Sequence, residues 1–133
     1  MKRVFADTFY FLALLNPGDN RHKRAVAHAT AFSGEMVTTA WVLTELADAM
    51  SDPRNRLEFI STLNDLKANP QMKIIPVSST LFDDGIRLFA DRPDKEWSLT
   101  DCISFTVMTQ EKLTDALTAD HHFEQAGFKA LLK

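Results

Sequence analysis

The chain has 133 residues, 45% of them hydrophobic and 25% charged, with four Gly, five Pro and one Cys; this suits one domain, residues 1–133, and excludes disordered and collagen-like chains. Fifteen Lys and Arg against eighteen Asp and Glu give a net charge of −3, so no general basic surplus draws the chain to a polyanion. The lone Cys102 excludes an internal disulfide framework, no run nears the roughly 18 apolar residues of a membrane span, and Asp7 interrupts the opening before a signal-peptide core develops, so a cytoplasmic protein is expected.

Residues 3–6 read as a short strand, ended by Asp7 and followed by an almost wholly apolar helix through Phe9, Tyr10, Phe11, Leu12, Leu14 and Leu15. Asn16-Pro17-Gly18-Asp19 stops it. Asn20 is placed to cap a second helix running to about Phe32, with Ala25, Val26 and Ala29 on one face. After Gly34 comes a strand at 36–39, then a helix at about 41–50. Asp52 and Pro53 look like the cap and first turn of the next helix, where Leu57, Ile60, Leu63 and Leu66 recur at steps of three until Asn69-Pro70. A strand at 72–77 precedes a helix opened by Ser78 and carrying Leu81, Phe82, Ile86, Leu88 and Phe89. A loop at 91–97 leads to a helix at 99–111, a strand at 116–119, a short helix at 121–125 and a last strand at 128–132. Five strands alternating with helices predict an α/β fold, a three-layer α/β/α sandwich around a mostly parallel five-stranded sheet.

Chemistry on such sheets gathers beyond the carboxyl ends of the strands. Asp7 follows the first strand, Asp120 follows the fourth, Asp101 opens the helix before the fourth, and Glu45 lies in the helix after the second. The third strand ends at Val77-Ser78 without an acid, as expected of an edge strand away from the site. Each acid has a local explanation. Asp7 and Asp120 suit N-caps, worth about 1 kcal/mol each. Ser98-Leu99-Thr100-Asp101 matches a capping box. Glu45 shares a helix side with Trp41 and Ala49, away from Leu43, Leu46 and Met50, and is free to be solvated.

Taken together they ask for more. Asp7 and Asp101 sit where uncharged, core-like chain begins, and buried carboxylates cost several kcal/mol each unless compensated. Several at one sheet edge repel and raise one another's pKa unless a cation joins them. A hard divalent ion, Mg²⁺ with Mn²⁺ as a plausible substitute, prefers such oxygen donors. Zinc is not suggested, since His121-His122 lack spaced thiolates or an HExxH pattern.

Asp7-Thr8, Thr44-Glu45-Leu46, the stretch from Trp97 to Phe105, and Thr118-Ala119-Asp120-His121-His122-Phe123 with Gly127-Phe128 beyond it together resemble the PIN-domain nucleases. More narrowly, they resemble the VapC toxins of bacterial type II toxin–antitoxin modules, over essentially the whole chain. The resemblance implies a magnesium-dependent endoribonuclease. Asp7 and Asp101 would be the principal metal ligands, Glu45 and Asp120 would complete the acidic pocket directly, through water or through a second ion, and Thr8 with Thr100 or Ser98 would either place hydroxyls behind them or serve as local caps. The reaction would be in-line hydrolysis of an RNA phosphodiester by metal-activated water, with no protein nucleophile. A homodimer and a cognate antitoxin are the implied partners, with no membrane involved.

Other residues carry open alternatives. The helix with Leu57, Ile60, Leu63 and Leu66 offers apolar surface to a partner or buries it against the sheet. Arg21, Lys23 and Arg24, and Arg54 with Arg56, either touch RNA phosphates or form solvated faces. His122 either orients a carboxylate or reaches substrate, or it packs near Phe123. Phe5, Phe9, Tyr10, Phe11 and Phe105 read as core, as does Cys102. The rival reading is a receiver-like or catalytically silent α/β partner-binding domain. A receiver expects adjacent acids after the first strand, an Asp ending the third and a Lys ending the last; the single Asp7, Val77-Ser78 and Leu131-Leu132-Lys133 argue against it.

Overall fold

Val4, Phe5 and Ala6 have no solvent exposure and complete β1 (Lys2–Ala6), the central strand of the sheet, in a computed structural model that describes residues 2–133. The chain continues through α1 (Thr8–Leu15), α2 (His22–Ala31), β2 (Gly34–Thr39), α3 (Ala40–Ala49), α4 (Arg56–Ala68), β3 (Met72–Ile75) and α5 (Ser79–Asp91). It closes with α6 (Leu99–Gln110), β4 (Asp115–Leu117), α7 (His121–Gln125) and β5 (Lys129–Ala130). All five strands pair in parallel, in the order β3-β2-β1-β4-β5. Parallel neighbours require crossovers, and right-handed ones place α1 to α4 on one face and α5 to α7 on the other. Packing within each layer agrees: α1 meets α2 and α3, α3 meets α4, and α6 meets both α5 and α7, while α3 and α6 touch between the layers.

The order reverses between β1 and β4, and the crevice beyond their carboxyl ends is where such sheets bind ligands. A receiver domain runs 2-1-3-4-5 instead, so the receiver-like alternative does not fit this sheet. β3 lies at the edge, as its acid-free end suggested.

The core is built where the sequence is uncharged. On α6, Cys102, Ile103, Ser104, Phe105, Val107 and Met108 are all buried. Phe105 meets Phe123 edge-on at 4.9 Å and Trp97 at 5.0 Å between centroids, a geometry that aromatic quadrupoles favour. Close approach of α5 to α6 needs Gly85: a Cβ there would lie 2.4 Å from Ile103 Cγ1.

Several boundaries differ from expectation. β3 stops at Ile75 because Pro76 has no N–H to continue the ladder. β4 is Asp115–Leu117 and β5 is Lys129–Ala130, each shorter than the apolar run that predicted it. Asn20 does not cap α2; Asp19 instead accepts the backbone N–H of Arg21. Asp52 likewise takes the N–H of Arg54 in a turn, and α4 starts later, after Asn55. No residue of α4 is fully buried: Leu57 is 83% and Ile60 49% exposed, so its apolar steps do not all meet the sheet. Phe9 is half-buried rather than core, unlike Phe5, Tyr10, Phe11 and Phe105.

Candidate functional site

Asp7 leaves the end of β1 at the N-cap position of α1, yet its side chain caps nothing. It is 6% exposed, and its Oδ2 accepts a hydrogen bond from the buried Thr118 hydroxyl at 2.9 Å. Burial pushes its pKa up to about 7; the nearby Asp101 and Glu45 charges add to the rise, while the Thr118 hydroxyl and the Thr8 N–H oppose it. The capping explanation therefore fails for this residue.

For Asp101 the local explanation holds without exhausting the residue's surroundings. It sits at the third position of α6, where Ser98 Oγ accepts its backbone N–H at 3.0 Å and its own Oδ2 takes the Ser98 N–H, completing the capping box. The same Oδ2 lies 3.2 Å from His122 Nδ1. Burial raises its pKa and the Asp120 charge adds to this, against the pull of His122 and the Ser98 N–H.

Asp120 caps α7 by accepting the His122 N–H at 2.9 Å, and its own N–H donates to Thr118 Oγ1 at 3.1 Å. Glu45 is exposed on α3 and, among the described residues, makes no hydrogen bond or ion pair. All four acids nevertheless line one cavity of about 310 Å³, with Phe9 and Leu12 of α1 as its apolar wall. Among the described residues no Lys or Arg pairs with any of the four.

Of the predicted hydroxyls, Ser98 and Thr8 line the cavity. Thr8 is buried and donates to the Val42 carbonyl at 3.5 Å, tying α1 to α3. Thr100 is half-buried and lies outside the lining. Arg21, Lys23 and Arg24 gather with Lys133 around a separate depression. Arg54 pairs with Asp52, and Arg56 donates to the Ser51 carbonyl. His122 turns toward Asp101 and Asp120.

Three participants went unassigned in the sequence reading: Thr118, Glu96 and the apolar wall of Phe9 and Leu12. Thr118 directly follows β4 and stands two places before Asp120, which by itself marks no site. Ligating atoms of Asp120, His121 and His122 all lie within 4.8 Å of one another. Chemically, the cleft is a pocket of oxygen donors with excess negative charge, suited to a hard cation.

A family model described as PIN domain matches residues 4–129. The chain is 24% identical over 125 residues to the 23S rRNA-specific endonuclease VapC20 of Mycobacterium tuberculosis, spanning 94% of this chain and 95% of that protein. The crystal structure of VapC20, described as a Sarcin-Ricin loop cleaving toxin, superposes with a TM-score of 0.85 at 23% identity over 94% of this chain and 95% of that one. FitAcB from Neisseria gonorrhoeae has a TM-score of 0.68 at 19% identity, covering 96% and 94% of the two chains. VapBC2 from Rickettsia felis, bound to a DNA fragment from its promoter, also gives 0.68, at 14% identity and 97% of each chain.

Proposed function

The chain belongs to the PIN-domain family, and from that membership together with the acidic cleft we propose that it is a metal-dependent endoribonuclease acting as the toxin of a toxin–antitoxin module. The observation that carries this reading is the convergence of Asp7, Glu45, Asp101 and Asp120, from four separate stretches of chain, on one cavity with no Lys or Arg pairing among the described residues. The name of VapC20 supports RNA as the substrate class.

The donor set fits Mg²⁺, with Mn²⁺ as substitute: four carboxylates converge, and burial pushes the pKa of Asp7, the most buried of them, up to about 7, a cost that a hard cation offsets. Asp7 and Asp101 would hold the ion, and Glu45 and Asp120 would complete the pocket directly, through water or through a second ion. When bound, the ion supplies a water of lowered pKa and positive charge against the phosphate. The chain's own groups set the geometry. Thr118 aims Asp7, while the capping box and His122 aim Asp101. Ser98 keeps a hydroxyl at the rim, Thr8 ties α1 to α3 beneath it, and Phe9 and Leu12 wall one side with apolar surface. No histidine base or protein nucleophile is needed, and the buried Cys102 thiol, its pKa raised by burial, stays protonated.

Arg21, Lys23 and Arg24, around their separate depression, either contact RNA phosphates or form a solvated face. A homodimer and an antitoxin are the protein partners; the exposed Leu57 and Ile60 of α4 are available to either. The protein works in the cytoplasm as one domain, and no helix among the described residues is long and apolar enough to cross a membrane.

The test is cleavage of total RNA by purified protein with and without Mg²⁺ or Mn²⁺, comparing wild type with Asp7→Asn and Asp101→Asn. Cleavage that needs the ion and is lost in both variants is expected. Undiminished activity in both overturns the site; no cleavage under any condition returns the chain to a catalytically silent, partner-binding role.

A further inference from the structure

Overlapping the acidic cleft, whose lining includes Asp120 and His122, lies a donor set of different chemistry. His121 and His122 open α7 directly after Asp120, and the turn brings their ring centroids to 4.4 Å. Asp120 Oδ1 is 3.7 Å from His121 Nδ1 and 3.5 Å from His122 Nδ1. One ligating atom from each of the three residues falls within 4.8 Å of the other two. A tetrahedral ion with bonds of about 2.0–2.2 Å to imidazole nitrogen and carboxylate oxygen spaces its ligands by about 3.3–3.5 Å. Both Asp–His edges are therefore within a few tenths of an ångström of that spacing without rearrangement.

Two imidazoles move the preference of a site away from Mg²⁺ and toward late first-row ions. The His121 side chain is 65% exposed and stands outside the cleft lining, so an ion can reach this set directly from solvent. Three contiguous protein ligands leave a fourth position for water.

We propose that Asp120, His121 and His122 form a Zn²⁺ site, and that filling it switches off the adjacent carboxylate cleft. The second half rests on the nuclease reading. The coupling follows from shared atoms. Asp120 lines the cleft, so its commitment to zinc takes one of five carboxylates out of that pocket. His122 Nδ1 is the atom 3.2 Å from Asp101 Oδ2, and using its lone pair on zinc ends that contact and leaves Asp101 held by the capping box alone. His121 serves only the zinc, which separates the switch from the cleft.

The experiment is calorimetric titration of Zn²⁺ alone into the full chain, purified without a polyhistidine tag in Mg²⁺-free buffer, for wild type, His121→Ala and Asp7→Asn. Wild type and Asp7→Asn bind one ion with similar affinity, and His121→Ala binds it weaker by about tenfold or more. In a parallel assay under saturating Mg²⁺, Zn²⁺ inhibits RNA cleavage by wild type, while His121→Ala keeps the basal rate and needs about tenfold more Zn²⁺ for the same inhibition. Equal Zn²⁺ affinity in wild type and His121→Ala, or loss of binding in Asp7→Asn alone, overturns the site by placing the ion among the cleft carboxylates. Binding as expected without inhibition overturns the switch. Absence of Mg²⁺-dependent cleavage sinks the nuclease reading and the switch together, while calorimetry still decides the zinc site.

Discussion

The Thr118 hydroxyl donates to Asp7 Oδ2 at 2.9 Å and accepts the Asp120 N–H at 3.1 Å, so one buried side chain ties the carboxyl ends of β1 and β4 together across the switch point. Thr118→Val keeps the shape and removes both bonds. The Asp7 carboxylate and the Asp120 N–H then lose a buried partner, at a cost of about 1–3 kcal/mol measured by urea denaturation. Mg²⁺ affinity, read by calorimetry, falls by about tenfold or more because Asp7 is no longer aimed. An unchanged affinity would remove Thr118 from the site.

The raised pKa of Asp7 fixes the sign of a pH effect. Its folded value is about 7 against an ordinary 3.8, so between those values the folded protein holds a proton that the unfolded chain has released. Stability from this group is present at low pH, falls as pH rises across that window, and is flat above about 7. Asp101, also raised, adds in the same direction. With metal chelated, Asp7→Asn should flatten the profile and be neutral or stabilising at pH 8, by on the order of 1 kcal/mol. A loss well beyond that amount at pH 8 would restore a purely structural role for Asp7.

Divalent ion reverses the penalty. At a free Mg²⁺ concentration of about 100 times its Kd, the folded state gains about 2.7 kcal/mol. The gain should be largest above pH 7, where Asp7 is ionised, and nearly absent in Asp7→Asn and Asp101→Asn. Thermal melts with Mg²⁺ and with chelator, at pH 5.5 and 8, measure both dependences.

Gly85→Ala tests the packing of the second helical layer. The added Cβ would lie 2.4 Å from Ile103 Cγ1, so α5 and α6 must separate or Ile103 must leave its position. A loss of about 1–3 kcal/mol in urea denaturation is expected. Ile103→Ala, which removes Cγ1, should cost less in the Gly85→Ala background than in the wild type.

Alternating apolar runs and helices were enough to read five strands and a three-layer sheet, because parallel strands buried on both faces leave near-continuous hydrophobic stretches such as Val4-Phe5-Ala6. Strand ends were read too long where Pro76 breaks the ladder, and again in β5, where hydrogen bonding rather than hydrophobicity sets the boundary. Asp7 and Asp101 were legible as acids entering uncharged chain. Thr118 was not, since its partner is 111 positions away and a lone threonine after a strand has no local signature. The exposure of Leu57 was hidden for the opposite reason: steps of three look alike whether a helix lies on a sheet or faces water.

Asp101 begins a helix and walls the cleft with the same carboxylate, whereas Glu45 touches nothing that the folded chain requires. Any descendant of this protein that abandoned chemistry would still gain from a side chain at the first position that accepts the Ser98 N–H, whether acid or amide. The second position would be released at once. A copy that has gone silent is therefore recognised by what replaces Glu45, long before the capping group at Asp101 is lost.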